Sequence, residues 1–157
     1  MKKVLIVGLL AFVAAVSCKD KMPVEVFENP DAEFNIMITG YTSEFKQIII
    51  DEIIEKYSPW CNIEIVDFAV AHKIDPDEYA AIIVMDEVEA WMIFNRKTRR
   101  FMKKIEPKEK LILYITAGDE KWQYSKDGIE AITSASVTDE RTRVLEEIFT
   151  RLDALLR

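Results

Sequence analysis

The chain has 157 residues, of which 50% are hydrophobic and 31% are charged, with a formal net charge of −7 at pH 7. This length suits one domain with a sizeable core, and the hydrophobic fraction excludes an extended disordered chain. The acidic balance argues against nucleic acid as a partner, because phosphate binding requires a basic surface. Only two cysteines occur, so the sequence offers no disulfide framework, and we expect Cys61 to be a small buried residue.

The N-terminus has the layout of an export signal. Two lysines precede an apolar run over residues 4–16, which is shorter than the roughly 20 apolar residues that a transmembrane helix needs. Residues 15–18, A-V-S-C, resemble the lipobox of bacterial lipoproteins, with Ala15 in place of the usual leucine. The resemblance implies removal of residues 1–17 as a signal peptide, lipidation of Cys18 and anchoring to a membrane outside the cytoplasm, in the bacterial cell envelope. An ordinary secretory signal with a chance cysteine is the alternative.

The next segment reads as a linker. Residues 19–33 mix prolines, an asparagine and charges without a lasting period, which is typical of a tether. We therefore predict that residues 18–33 form a lipidated tether and that residues 34–157 form a single folded domain.

From residue 34 onwards, strand-like and helical spacing alternate. The pattern predicts a strand at 35–38, a helix at 43–56, a strand at 62–68, a helical turn at 75–78, a strand at 80–85 and a helix at 94–105. It continues with a strand at 111–115, a looping segment at 116–127, a weaker strand at 129–133 and a last helix from residue 138 or 139. Apolar strands that alternate with helices indicate an α/β fold with a doubly wound parallel sheet.

In such a sheet, ligands bind beyond the carboxyl ends of the strands, where the winding reverses. The loops expected at that edge are residues 39–44, 86–91 and 117–124. The first has a glycine between hydroxyl side chains before a helix start, which favours a phosphate, although any tight strand-to-helix turn is built similarly. The other two carry Trp91, Trp122 and Tyr124, whose rings could flank a planar ligand or simply roof the sheet.

Together these loops resemble those of flavodoxins, a family that binds FMN non-covalently and transfers electrons. Residues 39–42, T-G-Y-T, are similar to the family's T-G-x-T phosphate loop. Gly118-Asp119, followed by Trp122 and Tyr124, is similar to its G-D-x-x-Y-x-Y segment. The resemblance covers the whole predicted domain and implies a three-layer αβα arrangement with strand order 2-1-3-4-5. Too few residues precede the last strand for a full helix, so we expect that crossover to be shortened.

The resemblance implies FMN as the cofactor, in a site without catalytic side chains or a metal ion, where the flavin supplies the redox chemistry. Residues 39–43 would hold the phosphate, Trp91 and Trp122 would flank the isoalloxazine, and Gly118-Asp119 would let the backbone approach the ring. The implied cofactor-binding residues are Thr39, Gly40, Tyr41, Thr42, Ser43, Trp91, Gly118, Asp119, Trp122 and Tyr124. The implied partners are the membrane, through the lipid on Cys18, and a redox partner protein.

Three departures from the flavodoxin pattern leave other functions open. Met37 replaces the first hydroxyl of the phosphate loop, the acidic residues 86, 87 and 89 would repel a flavin anion, and the last crossover is shortened or lost. The alternative is a flavodoxin-like domain without flavin that serves as an interaction or structural module in the envelope. A flavin-dependent reductase of a small substrate is a third hypothesis.

Weaker signals point elsewhere. Residues 133–136, T-S-A-S, are faintly similar to the site of covalent FMN attachment, without its glycine. A phosphorelay receiver would require acidic residues at the end of the first strand, where Met37-Ile38-Thr39 stands instead. The basic residues between 96 and 104 are typical of a solvated helix face or, on a lipid-anchored domain, of contact with anionic headgroups.

Overall fold

The computed structural model describes residues 20–88, 96–119, 121–135 and 138–157. The strands are β1 (Asp20–Lys21), β2 (Glu25–Phe27), β3 (Phe34–Thr42), β4 (Cys61–Asp67), β5 (Ala81–Glu87), β6 (Leu111–Thr116), β7 (Ser125–Lys126), β8 (Ile129–Glu130) and β9 (Ile132–Ser134). The helices are α1 (Glu44–Tyr57), α2 (Phe68–Ala71), α3 (Arg96–Met102) and α4 (Arg141–Leu155). Three 3₁₀ turns lie at Pro76–Glu78, Lys108–Lys110 and Thr138–Glu140.

Parallel strands form the centre of one mixed sheet. The path across the sheet is β2-β4-β3-β5-β6-β9, in which only the β2–β4 pair is antiparallel. β1 joins the sheet off this path, antiparallel to the end of β3. The prediction of an α/β protein with a mostly parallel sheet is therefore confirmed.

The sheet is buried on both faces, as the uninterrupted apolar runs of its central strands indicate. Every residue of β6 is buried, and so is every residue of β5 up to Asp86. Because successive side chains on a strand point to opposite faces, Ile83 packs into one core cluster and Ile82 into the other. We call the first cluster the α1–α4 core and the second the α2–α3 core, after the helices whose buried side chains they contain.

The two long helices follow their sequence signals closely. Ser43 caps α1, and its hydroxyl accepts a hydrogen bond from the backbone N–H of Lys46. The last helix is present with a buried apolar stripe, but the α-helix begins at Arg141 because Thr138–Glu140 forms a 3₁₀ turn. Among the described residues, no helix combines the length and the apolar character needed to cross a membrane.

Part of the segment interpreted as a tether is paired with the sheet. Asp20 and Lys21 pair with Thr42 and Tyr41, and β2 pairs with β4. Between these strands, the Met22 side chain is 2% exposed and belongs to the α1–α4 core. Strands of two and three residues are too short to produce a detectable hydrophobic period, which is why the sequence pattern did not indicate them.

The connection between β6 and β9 contains a β-hairpin. β7 and β8 pair antiparallel across Asp127 and Gly128, both of which have positive φ angles, of 54° and 78°. Asp-Gly is a preferred pair for such a two-residue turn. The sequence pattern had instead predicted a loop over residues 116–127. The predicted strand at 129–133 is divided between β8 and β9, and the crossover is short, as expected.

Candidate functional site

The predicted phosphate loop is the last part of a strand. Thr39, Gly40, Tyr41 and Thr42 belong to β3, and Ser43 is the cap of α1. Gly40 pairs with Met85 of β5 and has a φ of 139°, and a Cβ added at this position would overlap the Met85 carbonyl oxygen. The glycine is therefore required by the close approach of two strands.

Thr39 is directed into the protein. Its side chain is fully buried, and its Oγ1 has no hydrogen-bond partner among the described residues. Because residues alternate along β3, Thr39 shares the sheet face of Met37, which packs into the α2–α3 core. Its hydroxyl is thus inside the molecule rather than at the carboxyl edge.

The end of β3 is occupied by the N-terminal segment. β1 pairs with Tyr41 and Thr42, beyond Gly40, the last residue of β3 that pairs with β4 and β5. The Tyr41 ring lies against Phe68 of α2, with 5.8 Å between ring centroids. The backbone of residues 41 and 42 therefore lies against a strand from the same chain.

Charged side chains are buried beside this edge. Lys46 in the first turn of α1 is 0% exposed, and Asp86 near the end of β5 is 1% exposed. The Lys46 Nζ lies 3.9 Å from the Glu87 Oε2, and the Asp86 Oδ1 accepts a hydrogen bond of 2.9 Å from the Glu87 N–H. Asp86 and Glu87 were predicted to lie in a loop, but they are the last two residues of β5. Glu89, which was grouped with them, lies outside the described residues.

Lys46 was not selected by the sequence analysis, although a signal was present. It lies three and four residues before Ile49 and Ile50, so it occupies the buried stripe of α1. A lysine on such a stripe requires compensation, because removing an ammonium from water costs several kcal/mol. The nearby carboxylate of Glu87 provides part of that compensation.

The predicted aromatic loop brings two rings together. Trp122 and Tyr124 stack with 6.3 Å between ring centroids and 22° between ring planes, and both pack against the α2–α3 core. Asp119 Oδ1 accepts a hydrogen bond of 2.9 Å from the Lys121 N–H, and the Cβ position of Gly118 has open space around it. Trp91, the ring expected on the opposite side of a ligand, lies outside the described residues.

The two remaining candidate side chains, Cys61 and Ser134, are buried in the fold. Cys61 is buried, as expected, and burial raises the pKa of its thiol to about 11, which keeps it protonated and unreactive at neutral pH. The Ser134 hydroxyl is buried and lies 2.7 Å from the Tyr114 hydroxyl, and burial raises the pKa of Tyr114 to about 12. Within the described ranges, no group of three or more His, Cys, Asp or Glu side chains is arranged to hold a metal ion.

Comparison with known proteins adds no identification: no family model, curated protein or solved structure matches this chain. The resemblance to flavodoxins and to lipoprotein signals therefore stays a prediction from the sequence. What the geometry contributes is a carboxyl edge with buried charges, a strand paired with the end of β3, and a stacked aromatic pair against the α2–α3 core.

Proposed function

We propose that this chain is an exported, lipid-anchored protein whose flavodoxin-like domain works without flavin, as an interaction module in the bacterial cell envelope. The observation that carries the proposal is the pairing of β1 with Tyr41 and Thr42. A flavin phosphate at the predicted loop would need free backbone N–H groups and open space at the end of β3. In this chain, β1 lies against that position.

The charges near this edge also disfavour a phosphate. Asp86 is buried, Glu87 follows it at the end of β5, and Glu44 is the first residue of α1. Carboxylates close to the start of a helix oppose the attraction of that helix start for an anion. The one cation among these groups, Lys46, is buried and lies beside Glu87. The residues present therefore do not fit a flavin phosphate well.

The doubly wound arrangement itself remains part of the proposal. Its support is the order β4-β3-β5-β6-β9 of the parallel strands, in which the first parallel strand in sequence lies between the second and the third. A second support is the division of the buried side chains into an α1–α4 core and an α2–α3 core. In a sheet of this kind, the direction of winding reverses between β3 and β5. These two strands lie beside the Lys46 and Glu87 pair.

The position of the anchor supports a role at a membrane. Cys18 lies two residues before β1, and β1 lies at the carboxyl end of β3. A lipid on Cys18 would therefore hold this edge of the domain close to the bilayer. On the edge strand β2 and just before it, Val26 and Val24 are 56% and 65% exposed, which provides apolar surface for a neighbouring protein.

Lipidation can be tested in bacterial cells that express the full chain and are fed labelled palmitate. We expect label on the wild-type chain and on Cys61→Ser, and none on Cys18→Ser. Cys61→Ser is the matched control, because it removes the only other cysteine. Equal labelling of Cys18→Ser, or unlabelled wild-type chain, would contradict the anchor.

The flavin question can be tested by titrating residues 19–157, which contain every described element, into FMN while flavin fluorescence is followed. We expect no saturable quenching at tens of micromolar, about the 10⁻⁵ M scale of weak binding. A second form that starts at Met22 lacks β1 and keeps the buried methionine. Quenching that appears only in this shorter form would support the closing role of β1.

Electron transfer by bound FMN is the second candidate function. It is favoured by the half-buried Trp122 and Tyr124 stack beside the open Gly118. The same titration decides between the two, because saturable quenching by residues 19–157 that weakens in Trp122→Ala would favour the flavoprotein. In that case the module proposal would be abandoned.

A further inference from the structure

A groove of about 320 Å³ lies between α3 and the β7–β8 hairpin. Its volume is within the range of about 300 to 1,000 Å³ that is typical of small-molecule sites. The cationic residues Arg99, Lys103 and Lys126 line it together with one acidic residue, Asp127, and Met102 and Ile129 provide apolar surface. The groove is therefore positively charged, although the chain as a whole has a net charge of −7.

The three cations are available to a ligand. Among the described residues, the side chains of Arg99, Lys103 and Lys126 make no ion pair and donate no hydrogen bond. A fourth cation in the lining, Lys108, differs from them: its Nζ donates to the carbonyl oxygens of Met102 and Ile105 and pairs with Glu106. Lys108 therefore caps the C-terminal end of α3, whereas the other three cations cap no described helix end.

A neighbouring groove on the other side of the hairpin provides the contrast. It is lined by Arg143 and Arg151, and both are engaged within the chain. Arg143 pairs with Glu140 and Glu147 at 2.8 Å, and Arg151 donates to the Glu130 carbonyl oxygen at 2.6 Å. Both arginines of this groove thus stabilise the fold, whereas Arg99, Lys103 and Lys126 of the first groove make no ion pair with any described residue and share their lining with a single described carboxylate, that of Asp127.

Tyr124 makes the first groove suitable for a ring. Its ring lines the groove and stacks on Trp122. Arg99 is close enough to influence Tyr124 electrostatically, together with Asp127 at the tip of the hairpin. A flat ring with an acidic substituent could lie on this surface with its charge near Arg99.

We infer that the groove between α3 and the β7–β8 hairpin binds a small organic anion, one with a phosphate, sulfonate or carboxylate group and a flat apolar portion. Arg99, Lys103 and Lys126 would hold the acidic group, and Tyr124, Met102 and Ile129 would contact the apolar portion. The groove approaches Lys108 at the amino end of β6, whereas β1 lies at the carboxyl end of β3. With the anchor of the proposed function beside β1, this placement favours a soluble ligand over a lipid headgroup, whereas the groove and its cations do not depend on that function.

The test uses residues 19–157 and anilinonaphthalenesulfonate, a fluorescent probe with a flat apolar body and one sulfonate. Arg99→Ala combined with Lys103→Ala removes two cations of the groove. Arg100→Ala combined with Lys104→Ala is the matched control, because it removes the same charge with the same spacing from another side of the α3 segment, beside His72. We expect the Kd of the probe to rise about tenfold in the first pair and by less than about twofold in the second.

Two further measurements exclude a merely apolar surface. Neutral phenylnaphthylamine should bind at least about tenfold more weakly than the sulfonate, and binding of the sulfonate should weaken as salt is raised from about 0.1 M to about 1 M. The inference is overturned if both variant pairs weaken binding equally, if the neutral probe binds as well as the sulfonate, or if folded protein binds neither probe. Binding to vesicles with anionic headgroups, without binding of the soluble probe, would also overturn it.

Discussion

At the amino end of the parallel strands, buried and half-buried polar groups meet amides, carbonyls and solvated carboxylates, whereas at the carboxyl end charged side chains are themselves buried. Asn62 at the start of β4 accepts from the Asn29 N–H at 2.8 Å and donates to the Asn35 Oδ1 at 2.9 Å. Lys110, just before β6, donates to the Pro76 carbonyl and pairs with Asp77, whose side chain is 78% exposed. Each of these groups keeps a good partner or access to water.

The charged side chains at the carboxyl end have less access to water. Lys46 and Asp86 are almost completely withdrawn from water. Buried charges depend on their partners, because the loss of one partner leaves the other charge without solvation. We therefore expect substitutions at this end to cost more, and the following predictions are ordered by the size of the expected loss.

The largest difference is expected between two glycines. Gly40→Ala places a Cβ against the Met85 carbonyl oxygen at a φ of 139°, so we expect a loss of about 4 kcal/mol or more in the free energy of unfolding. Gly118→Ala has open space around its Cβ and should change stability by no more than about 0.5 kcal/mol. Urea unfolding followed by circular dichroism measures both. Similar stabilities for the two variants would refute the close approach of β3 to β5.

The two buried lysines should differ next. Lys46→Met leaves the carboxylate of Glu87 without its nearby cation and should cost about 3 kcal/mol. Lys110→Met leaves Asp77, which is exposed and stays solvated, and removes one donor from the Pro76 carbonyl. We expect that loss to be about 1 kcal/mol. Equal losses in urea unfolding would remove the distinction between the two ends of the sheet.

The sequence was informative where many apolar residues act together. β5 and β6 were predicted because a strand covered on both faces is apolar throughout, and α4 because its stripe extends over several turns. β1 and β2 were missed because their pairing depends on backbone groups, which all residues share. For the same reason, the end of β3 was predicted to be an open loop.

The site was predictable only in part. Trp122 and Tyr124 were selected from their position after a buried strand and from the flavodoxin resemblance; the structure stacks the two rings on each other, which the sequence did not predict. Lys46 was missed because its burial depends on the end of β5, which is distant in sequence. The groove cations Arg99 and Lys126 were read as ordinary surface charges or not selected, because a groove between a helix and a hairpin has no local sequence signature.

A smaller loss is expected from the amide network at the amino end. Asn62→Ala removes the acceptor of the Asn29 N–H and the donor to Asn35, which should cost about 1 to 2 kcal/mol. Gln47→Ala is the control, because Gln47 makes an exposed bond to Asp51 on one helix and should cost less than about 0.5 kcal/mol. If Asn62→Ala is as mild as the control in urea unfolding, the network does not connect the residue 29 segment to the sheet.

The smallest effect at neutral pH, and the most specific one, is expected at Tyr79. Burial, assisted by a hydrogen bond from its hydroxyl to Glu64, raises the pKa of Tyr79 well above its usual value. The unfolded chain loses this proton near pH 10 whereas the folded protein keeps it, so the free energy of unfolding falls as pH rises above about 10. Tyr79→Phe should reduce that fall by up to about 1.4 kcal/mol per pH unit, while costing about 1 kcal/mol at pH 7.

Glu64→Gln separates the two causes of this shift. The amide keeps an acceptor for the Tyr79 hydroxyl and removes the negative charge, while burial of the ring is unchanged. Because burial is the larger cause, we expect Glu64→Gln to retain more than half of the alkaline loss that Tyr79→Phe removes. Urea unfolding of the three proteins between pH 8 and pH 11 measures this. If Glu64→Gln removes as much of the alkaline loss as Tyr79→Phe does, a charge governs the amino end too, and the contrast with the carboxyl end fails.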